Sequence, residues 1–346
     1  MISLPALRPP SECRFDVVTL GEVMVRFDPG EGRVRTARTF QVSEGGGEYN
    51  VGRSLRRVFG HRVATVTALG DNEVGHLLED LLLQGGTNLD HVVRKTTDDV
   101  GRENRTPLNF TERGFGVRAP RGVYDRAHSA SASMTPDDVD WEHLFGTLGV
   151  RWFHTGGIFA GLSPSTFRTA QVAIETARRH GTAVSYDVNY RPSLWRAAGG
   201  QEAHRRLTTD LVDQVDVLFG VDIASFDQEV EHFVDASSAL AIVATTRRTV
   251  TSASLHDWTG TAWSAATGRL DGTVHRQLHV LDRVGSGDAF AAGVVHGVLT
   301  SRTLAESLNL GIAHGALVMT TPGDTSSVDV HDVDALALGG DAGVVR

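Results

Sequence analysis

The stretch Asp282–Gly293, D-R-V-G-S-G-D-A-F-A-A-G, joins a glycine-containing turn to a segment whose apolar residues recur on one helical face. The turn is formed by three small residues, Gly285, Ser286 and Gly287. Their backbone N–H groups are expected to point at an anion from the positive end of the helix dipole. Asp288, in the first helical turn, would then lie where a carboxylate can accept a proton from a hydroxyl. The alternative for this motif alone is that Asp288 caps a helix whose glycines allow close packing.

Short apolar runs precede this stretch and alternate with helical periods. The runs predict buried strands at Phe15–Leu20, Val63–Leu69, Val150–His154, Ala183–Tyr186, Val215–Phe219 and Ala241–Ala244. Between the first two runs, four apolar residues share one helical face, Val51, Leu55, Val58 and Phe59. This alternation predicts an α/β protein with a doubly wound, mainly parallel sheet and helices on both faces.

Two segments, 26–44 and 103–126, interrupt the alternation. Both alternate apolar and polar residues around Gly and Pro, which predicts hairpin strands of a small separate sheet, a lid on the α/β core. The alternative is a pair of long surface loops, which are uncommon in compact domains. We therefore expect one domain over 15–335 with tails at 1–14 and 336–346. Exposed strand edges in the lid predict a possible homo-oligomer.

Composition excludes several classes of function. Of the 346 residues, 33 are Lys or Arg and 42 are Asp or Glu, so the net charge of −9 disfavours nucleic acid or an anionic membrane as the main partner. Cys13 is the only cysteine and cannot form an internal disulfide. The N-terminal residues lack the features of a signal peptide, and no apolar run approaches the roughly 20 residues that span a bilayer. The expected location is the cytoplasm.

Three further motifs carry polar groups that can bind a ligand. Gly45–Asn50, G-G-G-E-Y-N, precedes the first predicted helix and is either a ligand-binding turn or only a flexible helix start. Tyr186–Trp195, Y-D-V-N-Y-R-P-S-L-W, begins where a strand ends, the place where ligands bind in open α/β sheets. Its carboxylate, amide and guanidinium could face one ligand or form a salt-bridged loop. They belong to Asp187, Asn189 and Arg191. The third motif is Tyr124–Ala130, Y-D-R-A-H-S-A.

The first of these motifs and the Asp282–Gly293 stretch together resemble the two signatures of the ribokinase (PfkB) family of carbohydrate kinases. The late stretch is similar to D-T-x-G-A-G-D, and the early one to G-G-x-x-x-N. The resemblance implies a ribokinase-like fold with Asp288 as the catalytic base. It also implies an anion hole made by Gly285, Ser286 and Gly287. Contacts to sugar hydroxyls are implied for Gly46, Gly47 and Asn50.

The other two motifs resemble those of 2-keto-3-deoxygluconate kinases and fructokinase-like relatives. Matches at Gly21–Glu22 and Thr320–Asp324 extend the resemblance over about Phe15 to Val330. It implies substrate binding by Tyr124, Arg126, Asp187, Asn189 and Arg191. Two arginines, Arg126 and Arg191, could pair with a substrate carboxylate, since a planar guanidinium suits bidentate recognition of that group.

The chain departs from the family around the nucleotide. Where the family has G-N-E-x-E, this chain has Val221 and Ala224, which leaves Asp222 as a water-mediated partner of Mg²⁺. The string A-T-T-R-R at 244–248 resembles a T-T-x-R subset of sugar-acid kinases. The resemblance implies nucleotide contacts from Thr246, Arg248, Asp282, Gly285 and Gly287.

The expected function is therefore phosphorylation of a hydroxyl of a 2-keto-3-deoxygluconate-like sugar acid, with ATP and Mg²⁺. Two alternatives remain open. One is a kinase for a neutral ketose, pentose or nucleoside. The other is a sugar- or nucleotide-binding protein that has lost phosphotransfer, because Val221 and Ala224 replace polar side chains of the family.

Overall fold

A computed structural model describes residues 7–340 of the chain. In chain order its strands are β1 (Phe15–Leu20), β2 (Met24–Asp28), β3 (Gln41–Gly45), β4 (Val63–Asp71), β5 (Val92–Thr96), β6 (Leu108–Glu112), β7 (Arg121–Asp125), β8 (Val150–Gly156), β9 (Ala183–Asp187), β10 (Val217–Phe219), β11 (Ile242–Ser252), β12 (Leu255–Ser264), β13 (Gly268–Asp271) and β14 (His275–His279). Its helices are α1 (Gly47–Arg57), α2 (Glu73–Gly85), α3 (Gly157–Ala160), α4 (Pro164–Arg179), α5 (Pro192–Trp195), α6 (Gly200–Val212), α7 (Phe226–Ala236), α8 (Ser286–Leu299), α9 (Leu304–Val318) and α10 (Val330–Ala337).

Most of these strands form one large, mainly parallel sheet. Its order is β13-β12-β11-β10-β9-β8-β1-β4-β5, and β14 pairs with β12. The strands from β11 to β5 in this order are parallel, whereas β12 is antiparallel to β11, β13 and β14. Each predicted strand corresponds to a strand of this sheet, although β10 and β11 begin later than predicted, at Val217 and Ile242. The predicted α/β class is therefore confirmed.

Both faces of the large sheet are covered. Successive residues of a strand point to opposite faces. In β1, Val18 packs in one hydrophobic cluster and Val17 in another, and in β8 Phe153 and Trp152 divide in the same way. Residues of α4 belong to the first cluster and residues of α8 and α9 to the second. The doubly wound arrangement with helices on both faces is therefore confirmed.

The lid is a separate four-stranded sheet of order β3-β2-β6-β7. Strand β2 follows β1 after only three residues and pairs with β3 antiparallel and with β6 parallel. Three aromatic rings, those of Phe27, Phe40 and Phe110, contact one another on this sheet, and Phe27 stacks on Phe110 with ring centres 5.1 Å apart. The predicted small sheet is confirmed in place of the alternative of long loops.

The C-terminal boundary differs from the prediction. Leu336 lies inside α10, where it packs against the cluster that contains Val333 and Leu310, so residues 336 and 337 belong to the fold. Near the other end, Arg8 donates a hydrogen bond to the backbone oxygen of Phe145 (2.8 Å). The remaining ends of the two predicted tails, 1–6 and 341–346, lie outside the described residues. None of the helices described is both long and apolar enough to cross a membrane.

Candidate active site

A cavity of about 950 Å³ lies between the lid and the carboxyl ends of the central strands. β1, β9 and β10 end at this edge because they are parallel, and the loops that follow them line the cavity. The cavity collects most of the residues that the sequence singles out. The lining contains Gly46, Gly47, Asn50, Tyr124, Arg126, Asp187, Asn189, Arg191, Asp222, Arg248, Gly285, Ser286, Gly287 and Asp288.

The turn before α8 has a conformation that depends on glycine. Gly285 is the N-cap residue of α8, with φ of 77° in the left-handed region, and no side chain caps the helix there. A Cβ on Gly285 would also overlap the backbone oxygen of Asp324. The hydroxyl of Ser286 donates to the backbone oxygen of Arg283 (2.9 Å). The first N–H groups of α8 belong to residues that line the cavity and are not capped by a side chain, so they are available as hydrogen-bond donors.

Asp288 lies at the junction between this turn and the rest of the cavity. Its Oδ2 accepts a hydrogen bond from Nδ2 of Asn50, 2.7 Å away. Burial raises the pKa of Asp288 to about 7, although the hydrogen bond from Asn50 opposes this; the charges of Asp187 and Asp324 raise it further. A carboxyl group with a pKa near neutrality is well matched to accept a proton from an alcohol at physiological pH.

The second glycine turn lies directly beside Asp288. Gly46 precedes α1, and a Cβ there would overlap the backbone oxygen of Glu22. A Cβ on Gly47 would lie 3.4 Å from Nδ2 of Asn189 and 3.7 Å from Oδ1 of Asp288. The side chains of Asn189 and Asp288 therefore both approach the place that a side chain of residue 47 would occupy.

The lid contributes an aromatic ring and a guanidinium. Tyr124 is about half exposed, and the guanidinium of Arg126 lies 4.9 Å from the centre of its ring. Nε of Arg126 is 3.5 Å from Oε2 of Glu22, whose Oε1 accepts a hydrogen bond from the hydroxyl of Ser129 (2.6 Å). Burial raises the pKa of Glu22, and Arg126 opposes that rise. The buried Glu22 thus fixes the direction of Arg126 toward the cavity.

Residues 187–191 line the opposite wall. The backbone N–H of Asn189 donates to Oδ1 of Asp187 (3.0 Å), and Asn189 has φ of 41°. Burial raises the pKa of Asp187, and the charge of Arg191 opposes that rise. Arg205 on the same wall pairs with Glu229, whereas Arg191 has no ion-pair partner in the described part of the chain. The alternative of a salt-bridged loop is therefore not what the structure has.

Two arginines lie on the side of the Gly285 turn that faces β11. Burial lowers the pKa of Arg248, and the nearby charge of Arg283 lowers it further. Nε of Arg248 is buried without a hydrogen-bond partner, and within residues 7–340 neither guanidinium has a carboxylate within ion-pair distance. Two uncompensated cations next to the donors of α8 make this wall suited to a polyanion.

Two residues expected at the nucleotide lie outside the cavity lining. Asp282 is 3% exposed, because its carboxylate pairs with the buried Arg26 and accepts hydrogen bonds from the N–H groups of Val284 (3.1 Å) and Gly323 (3.3 Å). It therefore faces the protein interior. Thr246 lies on β11 two residues closer to the centre of the sheet than Arg248, where its backbone pairs with Gly260.

The wall around Asp222 offers few ligands for a metal ion. Oδ1 of Asp222 accepts a hydrogen bond from the N–H of Ala224 (2.9 Å), and the residue is exposed. Val221 is buried and, like the alanine, carries no side-chain oxygen. Within residues 7–340 there is no group of three or more acidic, His or Cys side chains that could hold a metal by itself.

Sequence reasoning missed Glu48, Arg283 and Asp324 as members of the lining. Burial raises the pKa of Glu48 to about 8, with smaller contributions from the charges of Asp288 and Asp187. Glu48 lies inside the Gly45–Asn50 motif, so the motif itself could have indicated Glu48 as a residue of the cavity. Arg283 stands inside the Asp282–Gly293 stretch, but nothing in its spacing distinguishes it from a surface arginine.

Comparison with known proteins places this geometry in a family. Residues 14–331 match the model of the "pfkB family carbohydrate kinase". The chain is similar to 2-dehydro-3-deoxygalactonokinase of Haloferax volcanii (29% identity over 96% of this chain and 99% of the relative) and to 2-dehydro-3-deoxygluconokinase of Bacillus subtilis (28%, 92% and 94%).

The solved structure of 2-dehydro-3-deoxygluconokinase from Thermotoga maritima superposes with a TM-score of 0.83 at 28% identity, over 93% of this chain and 99% of that one. These matches confirm the resemblance seen in the two glycine motifs. The chain belongs to the pfkB family of carbohydrate kinases, which makes it a phosphotransferase that acts on a sugar.

Proposed function

We propose that this kinase transfers the γ-phosphoryl group of ATP to a hydroxyl of a sugar acid of the 2-keto-3-deoxygluconate type. The observation that carries the proposal is the position of Asp288. Its carboxylate lies in the cavity beside the Gly285 turn, with Asn50 holding one of its oxygens, and Arg126 and Arg191 line the same cavity. Two relatives of this chain are named 2-dehydro-3-deoxygalactonokinase and 2-dehydro-3-deoxygluconokinase, and these names denote kinases of acids of this type.

The chemistry assigns one role to each side of the cavity. As the sugar oxygen forms a bond to the γ-phosphorus, its proton passes to Asp288 and the bond from phosphorus to the β,γ-bridging oxygen breaks, which releases ADP. The N–H groups of Gly285, Ser286 and Gly287 would stabilise charge on the transferred group. Arg248 and Arg283, which have no ion-pair partner within residues 7–340, would hold the phosphates of ATP.

The charge distribution of the sugar-side wall supports an acid as the acceptor. Arg191 has no ion-pair partner in the described residues, and Arg126 is held at the lid by Glu22. An unpaired guanidinium such as that of Arg191 can recognise a carboxylate with two parallel hydrogen bonds. Asn50, Asn189 and Gly47 lie beside Asp288, and Gly46 lines the same cavity, so these four residues would contact sugar hydroxyls.

ATP is proposed to bind together with Mg²⁺, and the residues present fit such an ion. Only one carboxylate oxygen of Asp222 accepts a hydrogen bond, from the N–H of Ala224. The other oxygen can accept a hydrogen bond from a water molecule of a hydrated ion that the phosphates mainly hold. Bound there, Mg²⁺ would neutralise charge on the β- and γ-phosphates. This chain's contribution would be to orient the hydrated ion rather than to enclose it.

The decisive experiment measures ADP release from wild-type protein with a panel of acceptors. We expect turnover with 2-keto-3-deoxygluconate and its galacto epimer, and much weaker turnover with fructose, ribose and adenosine. Preference for a neutral acceptor would refute the sugar-acid assignment. The second candidate, a binding protein without phosphotransfer, is favoured only by Val221 and Ala224. It predicts no ADP release with any acceptor, although ligands still raise Tm.

We further propose a location and an assembly. The buried, free thiol of Cys13 fits a reducing compartment such as the cytoplasm. The lid ends in β3 and β7, whose outer edges are unpaired within residues 7–340 and whose Val42 and Val123 are exposed. A second copy of the chain could cover these edges. Light scattering of the purified protein, with Val123→Glu as the variant, tests a homo-oligomer.

A further inference from the structure

Arg26 is a fully buried arginine at the boundary between the lid and the α/β core. It lies in the middle of β2, and its side chain is 0% exposed. A buried guanidinium requires compensating partners, since an isolated charge in the interior is very costly. The pKa of Arg26 is raised above its usual value by Asp324 and Asp282, in spite of the opposing effect of burial.

The partners of Arg26 come from three different segments. Nη2 lies 3.1 Å from Oδ2 of Asp28 in the lid and also contacts Asp282, while Nη1 contacts Asp324. Arg113, from the second lid segment, reaches the same Asp28 at 3.2 Å. We call Arg26, Asp28, Asp282 and Asp324 the lid-core cluster. A single planar guanidinium thus joins a lid strand to two core segments.

Both core members of the cluster contact the Gly285 turn or its flanks, Asp282 through its carboxylate and Asp324 through its backbone oxygen. Asp282 accepts hydrogen bonds from the N–H groups of Val284 and Gly323, so it ties the start of the turn to the segment that follows α9. The backbone oxygen of Asp324 lies against Gly285, where a Cβ would overlap it. The positions of Asp282 and Asp324 therefore set where the N–H groups of residues 285–287 point.

The lid-core cluster also adjoins the glycine turn at residues 45–47, which precedes and begins α1. A Cβ on Gly45 would overlap the carboxylate of Asp324, so that carboxylate lies directly against the backbone before α1. Asp324 acts on Asp288 as well, since its charge is one of those that raise the pKa of Asp288. Arg26 does not line the cavity and cannot touch a ligand, so any effect on the reaction must act through these carboxylates.

We propose that Arg26 is a positioning residue that holds the Gly285 turn in its phosphate-binding geometry by clamping Asp282 and Asp324 to the lid strand β2. The clamp makes the geometry of the phosphate-binding turn depend on the lid. The proposal rests on the proposed function for the identity of the phosphate donor, but the clamp itself is a property of the folded chain.

The variant Arg26→Gln removes the charge and the fork of donors. We expect the Kd for the non-hydrolysable ATP analogue AMP-PNP with Mg²⁺ to rise at least ~10-fold. We expect kcat to fall by about 10²-fold, the loss that follows from a misplacement of about 1 Å. The KM for the sugar acid should change much less than kcat, because the sugar-side contacts belong to other residues. Arg26→Lys keeps the charge but cannot bridge both carboxylates, and should give an intermediate loss.

The control for a loss of stability alone is a second ion pair whose carboxylate is fully buried. Arg178, at the end of α4, pairs with the fully buried Asp216 before β10, at the sheet edge opposite the cavity. Arg178→Gln should lower Tm to a similar extent and leave the Kd for AMP-PNP within threefold of wild type. A matched fall in Tm with unchanged AMP-PNP affinity in Arg26→Gln, or in Arg26→Lys if the first variant does not fold, would overturn the proposal.

The test of the clamp does not depend on whether the proposed function is correct. Binding of AMP-PNP by titration calorimetry needs no acceptor, so it is measured whether or not wild type phosphorylates a sugar acid. Wild type that releases no ADP with any acceptor would end the proposed function. A selective loss of AMP-PNP binding in Arg26→Gln would still support the clamp.

Discussion

Replacement of Asp288 by Asn tests the assignment of the catalytic base. The amide has nearly the shape of the carboxylate and can still accept the hydrogen bond from Asn50, so the fold and the cavity should be retained. It cannot take up the proton of the sugar hydroxyl. General-base catalysis contributes about 10²–10⁴-fold, which corresponds to roughly 3–5 kcal/mol in the barrier, so kcat should fall by at least ~10²-fold.

The same variant is expected to be less active but more stable than wild type at pH 8, and this combination separates a catalytic defect from misfolding. The folded-state pKa of Asp288, about 7, is above the value near 4 expected in the unfolded chain. Its carboxylate therefore destabilises the fold progressively as pH rises from about 4 through about 7, and the penalty is fully present above that range. Asn removes the charge, so the variant should match wild type in Tm at pH 4 and exceed it at pH 8.

The assay is ADP release with 2-keto-3-deoxygluconate, combined with thermal unfolding at both pH values. The matched control is Asp90→Asn, an exposed carboxylate away from the cavity, which should change neither kcat nor the pH dependence of Tm. Turnover of Asp288→Asn within a few-fold of wild type would end the base assignment. A variant that is both inactive and less stable at pH 8 would refute the electrostatic account of the site.

Three further results are expected. Arg191→Met should raise the KM for the sugar acid at least ~10-fold, since a charged hydrogen bond contributes about 1.5–3 kcal/mol, and should leave a neutral sugar unaffected; equal effects on both would remove Arg191 from carboxylate binding. Gly285→Ala should lower the free energy of unfolding by at least about 1 kcal/mol and abolish activity, because φ of Gly285 is 77° and the added Cβ would overlap the backbone of Asp324. A Cβ on Gly287 would contact no neighbouring atom, so Gly287→Ala should unfold like wild type in urea. The rate at low sugar concentration should rise with pH through about 7, as Asp288 loses its proton, and level off above it; a flat profile from pH 5 to 8 would contradict that pKa.

The sequence predicted the central architecture because burial on both faces leaves a simple signal. Strands such as Phe15–Leu20 are buried at every position and mostly apolar, and this made them recognisable. The peripheral strands β5, β13 and β14 were not predicted, because they are partly exposed and carry charged or polar residues at half or more of their positions. Their pairing is decided by neighbouring strands rather than by local composition.

The candidate site was predictable where its residues stand in a compact motif. Asp288 and Gly285 are three residues apart, and the turn that joins them can be inferred from that spacing. The partner of Asp282 could not be inferred in this way, because Arg26 is 256 residues away in sequence. Asp282 was therefore expected at the nucleotide, although its side chain is committed to the lid-core cluster. Contacts of that range become visible only when the lid and the core are placed together.

Asp288 and the Gly285 turn are proposed to direct a phosphoryl group onto a sugar acid. The most direct measurement is ³¹P NMR of wild-type enzyme incubated with ATP, Mg²⁺ and 2-keto-3-deoxygluconate. We expect a new phosphomonoester resonance that grows in step with ADP and is absent with Asp288→Asn. An unchanged ATP spectrum for wild type, in the presence of a sugar acid that still raises its Tm, would contradict it.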